Sequence, residues 1–576
     1  MGICACGIHP TVMKRNYTLA LIFTGLWAIT VGVAISSGYI PTQQTARSFL
    51  STLARVQAGI FAIVFSIVIL GVRLSASRYS PRLAKSFSSD ATYRETVGIF
   101  AFSLALDIFS LYAVGAMSEN LLRGVLVTSA ILACGSFISL FTFVNQILER
   151  TTPEGILSHI EDNLTPKIAT KEAELSASDA SHPNPFQTLS SVISSTIEEH
   201  DRASSALGLS ILADRVSALI KYDGETEEDS AVDQTLEYVC EEQIPMILEQ
   251  CIDQNLNETA VEATGAAKEI GKAGIKENSN RAVEHVVRGQ AGLVDNLSFE
   301  TSVERVRTEI IETSQELIHG ATEDQVYTGA AVGTRFLGWT ASSSIMKREA
   351  EDARNSSYTS LLLVYFPRLI STVAESEEEV RDHSYNKWLR VQMSESFESV
   401  SPVERLIGSV YSSMAELTSA AIRYEIRTEQ QIVNWERVAS GWSSGLESLS
   451  KMDLNEMAQL WFGTTLYLEY IAQESQTDMM DGFVSYGLHT VPRDIGTDTV
   501  ERIQQGDLDP TSRIDLIPGG VDPINYPVTG HKDPIIQNPD LSFTEWVESQ
   551  PFVFGSGLFG MVGDQPTDEG SDTDTN

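Results

Sequence analysis

The stretch from Gln57 to Leu83, QAGIFAIVFSIVILGVRLSASRYSPRL, constrains this chain more than any other. It is an apolar run of helix length closed by a short basic, Ser-rich segment that ends at a proline. It reads as a membrane span leaving the bilayer on the side that holds cations. Three more runs share its character, at 19–39, 97–117 and 122–148. Each is near the roughly 20 residues a helix needs to cross about 30 Å of hydrocarbon. Lys14 and Arg15 precede the first run, which is longer than a signal-peptide core and lacks a clear A-x-A site, so it reads as a span. Only SENL separates the last two, which predicts an antiparallel hairpin and four spans in residues 17–150.

Orientation follows from the bases. Lys14 and Arg15, then Arg73, Arg78, Arg82, Lys85 and Arg94, then Arg150 fall on one side of a four-span layout, against Arg47, Arg55 and Arg123 on the other. The excess predicts a cell-membrane protein with both termini in the cytoplasm. The sequons at Asn16, Asn163, Asn257, Asn296 and Asn355 are then chance matches. After the second span, Tyr79 suits the interfacial depth, Pro81 ends the helix, and Arg73, Arg78, Arg82 and Lys85 suit anionic headgroups, a membrane-interface anchor. Asp107 stands near the middle of the third span, where an acid costs about 2.5–3.5 kcal/mol on insertion scales. Ser103 and Ser110 lie on neighbouring turns, and Ser136, Ser139 and Thr142 of the fourth span are expected partners from across the hairpin. Two roles fit Asp107: a protonated or hydrogen-bonded packing residue between helices, or an intramembrane proton or cation site.

The succession TARSFLSTLA from Thr45, AIVFSIVILGV from Ala62 and SASRYSPRL from Ser75, with the paired spans after it, resembles an uncharacterised prokaryotic family of predicted membrane proteins, domain-of-unknown-function family 2254. The SRYSPRL ending, Ser77 to Leu83, is the most specific element. The resemblance covers about residues 40–165 and extends to NPFQTLSSVI from Asn184, with a departure at Arg73, where the family tends to carry Gln. It implies architecture and membrane location, not an activity.

Beyond the spans, composition enters the argument. The formal net charge is -37, from 77 acidic against 40 basic residues, and Arg outnumbers Lys more than two to one. This resembles proteins of salt-accumulating organisms, halophilic archaea among them. At about 1 M salt the Debye length is only about 3 Å, so such a surface holds water and cations without strong self-repulsion. It argues against nucleic-acid partners, which require clustered bases. Five cysteines, Cys4 and Cys6 among them, form neither a disulfide framework nor a C-x-x-C zinc pattern.

The stretch 151–186 carries one short helical pattern, GILSHIEDNL, and then SASDASHPNP, and reads as a linker, with 187–489 as an all-helical soluble domain. Apolar residues there recur at three and four, predicting helices at 186–199, 203–220, 236–252, 259–276, 280–294, 301–319, 325–346, 358–375, 402–420, 422–440 and 455–473. Pairs recur loosely every 40 to 55 residues, compatible with an armadillo- or HEAT-like solenoid or with an irregular bundle. Residues 490–562 read as a loop-rich extension whose patch FTEWVESQPFVFGSGLFGMV docks back on the body, and 563–576 as a disordered acidic tail.

Two catalytic look-alikes are discounted. GWSSG at 441–445 fits G-x-S-x-G without the strand that a nucleophile elbow needs, leaving Ser443 a loop serine. GSGLFG at 555–560 lacks a βαβ context. The expectation is therefore an all-α, non-enzymatic, multi-pass protein with no catalytic, cofactor or metal residues. Its partners are the lipid bilayer and, through the helical body, other proteins or its own copies. The function expected is a membrane-anchored helical scaffold or regulatory interaction module; the alternative is an oligomeric transporter or channel using Asp107.

Overall fold

The computed structural model describes residues 42–78, 91–150, 152–179, 182–224, 230–296, 303–347, 357–376, 379–384, 387–388, 400–474, 491–510, 541–550 and 552. The expected first span, the anchor residues Tyr79, Pro81, Arg82 and Lys85, both N-terminal cysteines, the GSGLFG segment and the acidic tail lie outside these. Among the described residues every regular element is a helix. They form two compact units, Met1–Asp162 and Asn163–Asn576.

In the first unit α1 (Gln43–Arg78), α2 (Ala91–Ala113) and α3 (Glu119–Arg150) pack pairwise against one another. A 3-10 turn, Val114–Ala116, ends α2, and the chain reverses into α3, as the hairpin expectation required. α1 begins at Gln43, well before the apolar run, because nothing in QQTARSFLSTLARVQ opposes a helix. Large apolar side chains point outward, among them Ile63, Leu70, Phe102, Phe109 and Phe141. Of the most apolar window of α1 only 11% is buried within the protein. A surface of this kind belongs in hydrocarbon. After α3 the short α4 (Pro153–Asn163) closes the unit.

The second unit begins with α5 (Pro166–Ser178) and α6 (Gln187–Glu198), followed by α7 (Arg202–Asp223). The helical pattern GILSHIEDNL falls on α4 as expected, while the part beyond it that reads as a linker is also largely helical: Pro166 starts α5, whose Ala169 and Ala173 are buried. α7 is long and apolar enough to cross a membrane, yet 56% of its window is buried against neighbouring helices and it carries Asp214 and Arg215. It is a core helix of this unit.

From α7 onward the chain builds two rows. One contains α7, α10 (Asn257–Lys276), α12 (Glu304–Glu323), α14 (Ser357–Glu375) and α16 (Trp435–Lys451). The other contains α8 (Ala231–Glu237), which runs through a π-helical turn, Tyr238–Gln243, into α9 (Ile244–Asp253), then α11 (Asn280–Asn296), α13 (Tyr327–Lys347), α15 (Pro402–Thr428) and α17 (Asn455–Glu474). Each helix packs on the next in its own row, and successive helices alternate between rows. This is the logic of a helical solenoid.

The turns repeat as well. His200, Asn255, Asn278, Gln325 and Asp453 are left-handed residues that end α6, α9, α10, α12 and α16. After each, the next amide reaches back five residues to a carbonyl, as Ser279 N–H does to Gly274 O at 2.8 Å and Val326 N–H to Ala321 O at 2.7 Å. These are Schellman closures, which satisfy the last carbonyls of the helix while turning the chain. The register is shared too. Every buried position of α10, from Thr259 and Ala260 to Gly274 and Ile275, recurs 47 positions later in α12, from Val306 and Arg307 to Ala321 and Thr322 (helix starts 257 and 304).

Several sequence boundaries shift. α15 continues through Ile422 to Thr428 and stops at the left-handed Glu429, so the break expected at 421 falls later. Its start was legible: Ser401 and Glu404 form a reciprocal capping box ahead of Pro402. The region after 490 contains α18 (Arg493–Gln505) and α19 (Phe543–Ser549) where loops were expected. α19 docks on α17 as anticipated: Trp546 is buried and its Nε1–H donates to Gln473 Oε1 at 2.9 Å, while Tyr470 O–H donates to Leu541 O at 2.7 Å.

Candidate functional site

In the three-helix unit the polar side chains form one layer between two apolar ones. Val68, Phe100, Leu140 and Phe143 close one end, with Phe61 stacked on Phe100 at 4.9 Å between ring centres. Ala46, Leu50, Val114 and Leu122 close the other. Between them lie Gln57 of α1, Ser103, Asp107 and Ser110 of α2, and Ser129 of α3, all buried. Ser103, Asp107 and Ser110 share a face because they are four and three residues apart on one helix.

Gln57 Nε2 donates to Ser103 Oγ at 3.0 Å, a hydrogen bond between helices. Its Oε1 has no partner among the described residues, nor have Asp107 Oδ1, Asp107 Oδ2 and Ser129 Oγ. Asp107 is 0% exposed. The Ser129 hydroxyl approaches its carboxylate from α3, without the alignment of a hydrogen bond. The partners expected from across the hairpin are engaged elsewhere. Ser136 donates to Ala133 O, Thr142 to Ile138 O and Ser139 to Thr96 Oγ1. Burial inside the helix bundle therefore selects Ser129, two turns earlier than the nearest of them. Gln57 was invisible as a partner because it precedes the apolar run. Arg73, near the end of α1, is exposed, consistent with a headgroup-facing role; Arg78 is the last residue of α1.

The body holds a second buried polar cluster, where the π-helical turn meets α11. Gly289 makes the meeting close: a Cβ there would lie 1.9 Å from the Cys240 carbonyl oxygen. Arg281 Nε and Nη2 donate to the two oxygens of Asp233 at 3.0 and 3.1 Å, a bidentate pair. His285 is bound on both sides, Nε2 to Asp233 Oδ1 at 2.8 Å and Nδ1 to Glu241 Oε1 at 2.5 Å. Two carboxylate acceptors require both ring nitrogens to donate, hence an imidazolium. Burial pulls this imidazole toward neutrality, but the bonds and charges of Asp233 and Glu241 outweigh it and push its pKa up to about 9. Burial likewise opposes ionisation of Asp233, and His285 and Arg281 overcome it, holding that carboxyl well below the usual range. Glu284 bonds Arg281 and Arg288, while burial raises its pKa against them. The Arg288 guanidinium also lies 4.8 Å over the Phe336 ring of α13. Every charge in this cluster has a partner, so it locks one helix pair to the next.

The discounted G-x-S-x-G segment has a structural explanation. Ser443 sits inside α16, not in a loop, and donates to Ala439 O at 3.0 Å. A Cβ on Gly441 would lie 2.4 Å from the Leu363 carbonyl of α14, and one on Gly445 would lie 2.4 Å from Trp461 of α17. The two glycines permit helix contacts. Cys240 and Cys251 are buried, and burial pushes the Cys251 thiol up to about 12, away from nucleophilic use. Among the described residues no three His, Cys, Asp or Glu side chains converge as a metal site requires.

Lipid-facing helices around a polar layer, continued by an all-helical stack, define a helical membrane protein of unknown molecular function. Residues 11–199 match the family described as "Predicted membrane protein (DUF2254)". The match is wider than the 40–165 expected, and it takes in the Asn184 segment that forms the start of α6. No curated protein matches. Among solved structures, a chain titled "Circular tandem repeat protein with novel repeat topology and enhanced subunit contact surfaces" is similar at 13% identity, over 81% of this chain and 99% of that one, with a TM-score of 0.33. A likeness at that score carries no argument.

Proposed function

We propose that this protein is a membrane-anchored scaffold or regulatory interaction module whose stacked body lies on the cytoplasmic face. The observation that carries the reading is the two-row stack. Its row of α7, α10, α12, α14 and α16 is built from helices with one buried stripe each, and it leaves outward stripes aligned side by side. Rows of this kind offer long recognition surfaces that single helices cannot. The excess of basic residues on one side of the span layout supports the cytoplasmic placement. The acidic balance of the chain fits work at high internal salt, where contacts between proteins rest on packing more than on long-range charge.

Photo-crosslinkers placed at the exposed Glu269, Glu312 and Leu361, one each on α10, α12 and α14, test this in intact cells. The reading expects the same discrete adduct from at least two neighbouring helices, either with one partner protein or with a second copy of the chain. Diffuse or absent adducts from all three positions would reject it. Protease digestion of the body from outside intact cells would reject the placement.

A further inference from the structure

We propose that the polar layer of the three-helix unit is a binding site for a single dehydrated monovalent cation, held by Asp107 with Gln57 and Ser129 and exchanged against a proton. This inference stands independently of the scaffold reading. Four buried oxygens lack partners among the described residues of this layer: both of Asp107, Oε1 of Gln57 and Oγ of Ser129. They come from α2, α1 and α3, one helix each, so packing of the unit gathers them. Gln57 is oriented by its bond to Ser103, one helical turn from Asp107, which leaves its amide oxygen as the unused end.

The chemistry of the donor set limits the occupant. All four atoms are hard oxygen donors, which suit alkali cations and not the soft or borderline metals that seek sulfur or imidazole. One carboxylate balances one positive charge. A divalent ion would leave a net charge in a layer closed above and below by apolar side chains, at a cost of several kcal/mol. As they stand, neither the Asp107 oxygens nor the Gln57 oxygen accepts from a donor among the described residues. A cation satisfies the whole set at once. The exchange is balanced: the Asp107 carboxyl gives its proton to water as the cation binds the resulting carboxylate, and the layer is uncharged in both states.

Dicyclohexylcarbodiimide, which reacts with protonated carboxyls in apolar surroundings, gives the test on the full-length protein in vesicles. Mass spectrometry should find modification at Asp107 that disappears in Asp107→Asn. Sodium or potassium chloride should slow it, compared with choline chloride at equal ionic strength, more strongly as pH rises. Gln57→Leu and Ser129→Ala should remain modifiable, with the midpoint for alkali protection raised about tenfold by loss of one ligand. Modification that ignores alkali cations would identify a buried packing carboxyl, and no modification at Asp107 would show that nothing exchanges there. Either result overturns the proposal.

Discussion

Asp107 and Asp233 are both buried, one among helices that face lipid and one in the stacked body, and their surroundings differ in kind. Asp233 receives two N–H groups from Arg281 and one from His285, and its charge is answered within bonding distance. Asp107 has no aligned donor among the described residues. The body can bring in long cationic side chains whose stems pack and whose heads reach the carboxylate. Among the described residues, the polar layer of the three-helix unit sets only hydroxyls and one amide beside Asp107, where a long cationic side chain would be costly to insert. A completed charge cluster fixes a structure. An incomplete one leaves room for something to bind.

The sharpest way to break this comparison is to remove each aspartate. Asp233→Ala should leave Arg281 Nε and Nη2 and His285 Nε2 without their acceptor and cost the body about 3 kcal/mol, read from denaturant unfolding. Asp107→Leu should instead leave the membrane unit as stable or more so, by up to about 3 kcal/mol, since it removes an acid with no bonded partner. Comparable losses from both would end the distinction.

A pH series sharpens it further. The His285 pKa is raised in the folded state to about 9, from an ordinary value near 6.5. Its contribution is therefore complete below about pH 6.5 and is lost as pH climbs through 9, amounting to roughly 3 kcal/mol. The depressed Asp233 belongs to the same interaction on its acid side and is not a separate gain. Melting of the body should fall between pH 7 and 9.5, and His285→Gln should flatten that slope. A slope unchanged in the variant would assign it to other groups.

Smaller effects test the packing between helix pairs. Gly441→Ala should cost about 1–3 kcal/mol, because its methyl meets the Leu363 carbonyl across α14 and α16. Ser443→Ala, two residues on, should change stability by less than about 0.5 kcal/mol and remove no activity. Loss of a hydrolytic activity in the serine variant would contradict the packing account of this segment.

Much of the fold was legible because the helical period is strong wherever one stripe is buried. The helices 259–276 and 280–294 were placed within a few residues of α10 and α11. The repeat was harder to see. In α10 the buried stripe is built from Ala260, Ala263, Ala267 and Gly271, and in α12 the equivalent places hold Arg307, Ile310, Ser314 and Ile318. Small faces large across the row, with Gly271 against Leu317, so shape complementarity erases residue identity while preserving register. Within the polar layer, Asp107 was found because a charge in an apolar run stands out. Gln57 and Ser129 were not, since an amide before a span and a serine within one are ordinary in sequence and become informative only when three helices bring them together. The stretch 166–178 misled because its Ser, Ala and Lys content resembles a linker, although Pro166 and the spacing of Ala169 and Ala173 suit a helix.

The left-handed closures at Asn278 and Gln325 carry a consequence for how such a protein grows. Because a hairpin ends as it begins, with the same backbone bend and the same buried places, a duplicated segment can slot between two existing rungs and find both neighbours already shaped to receive it. Length would then change in whole rungs, while the lipid-bound portion stays as it is.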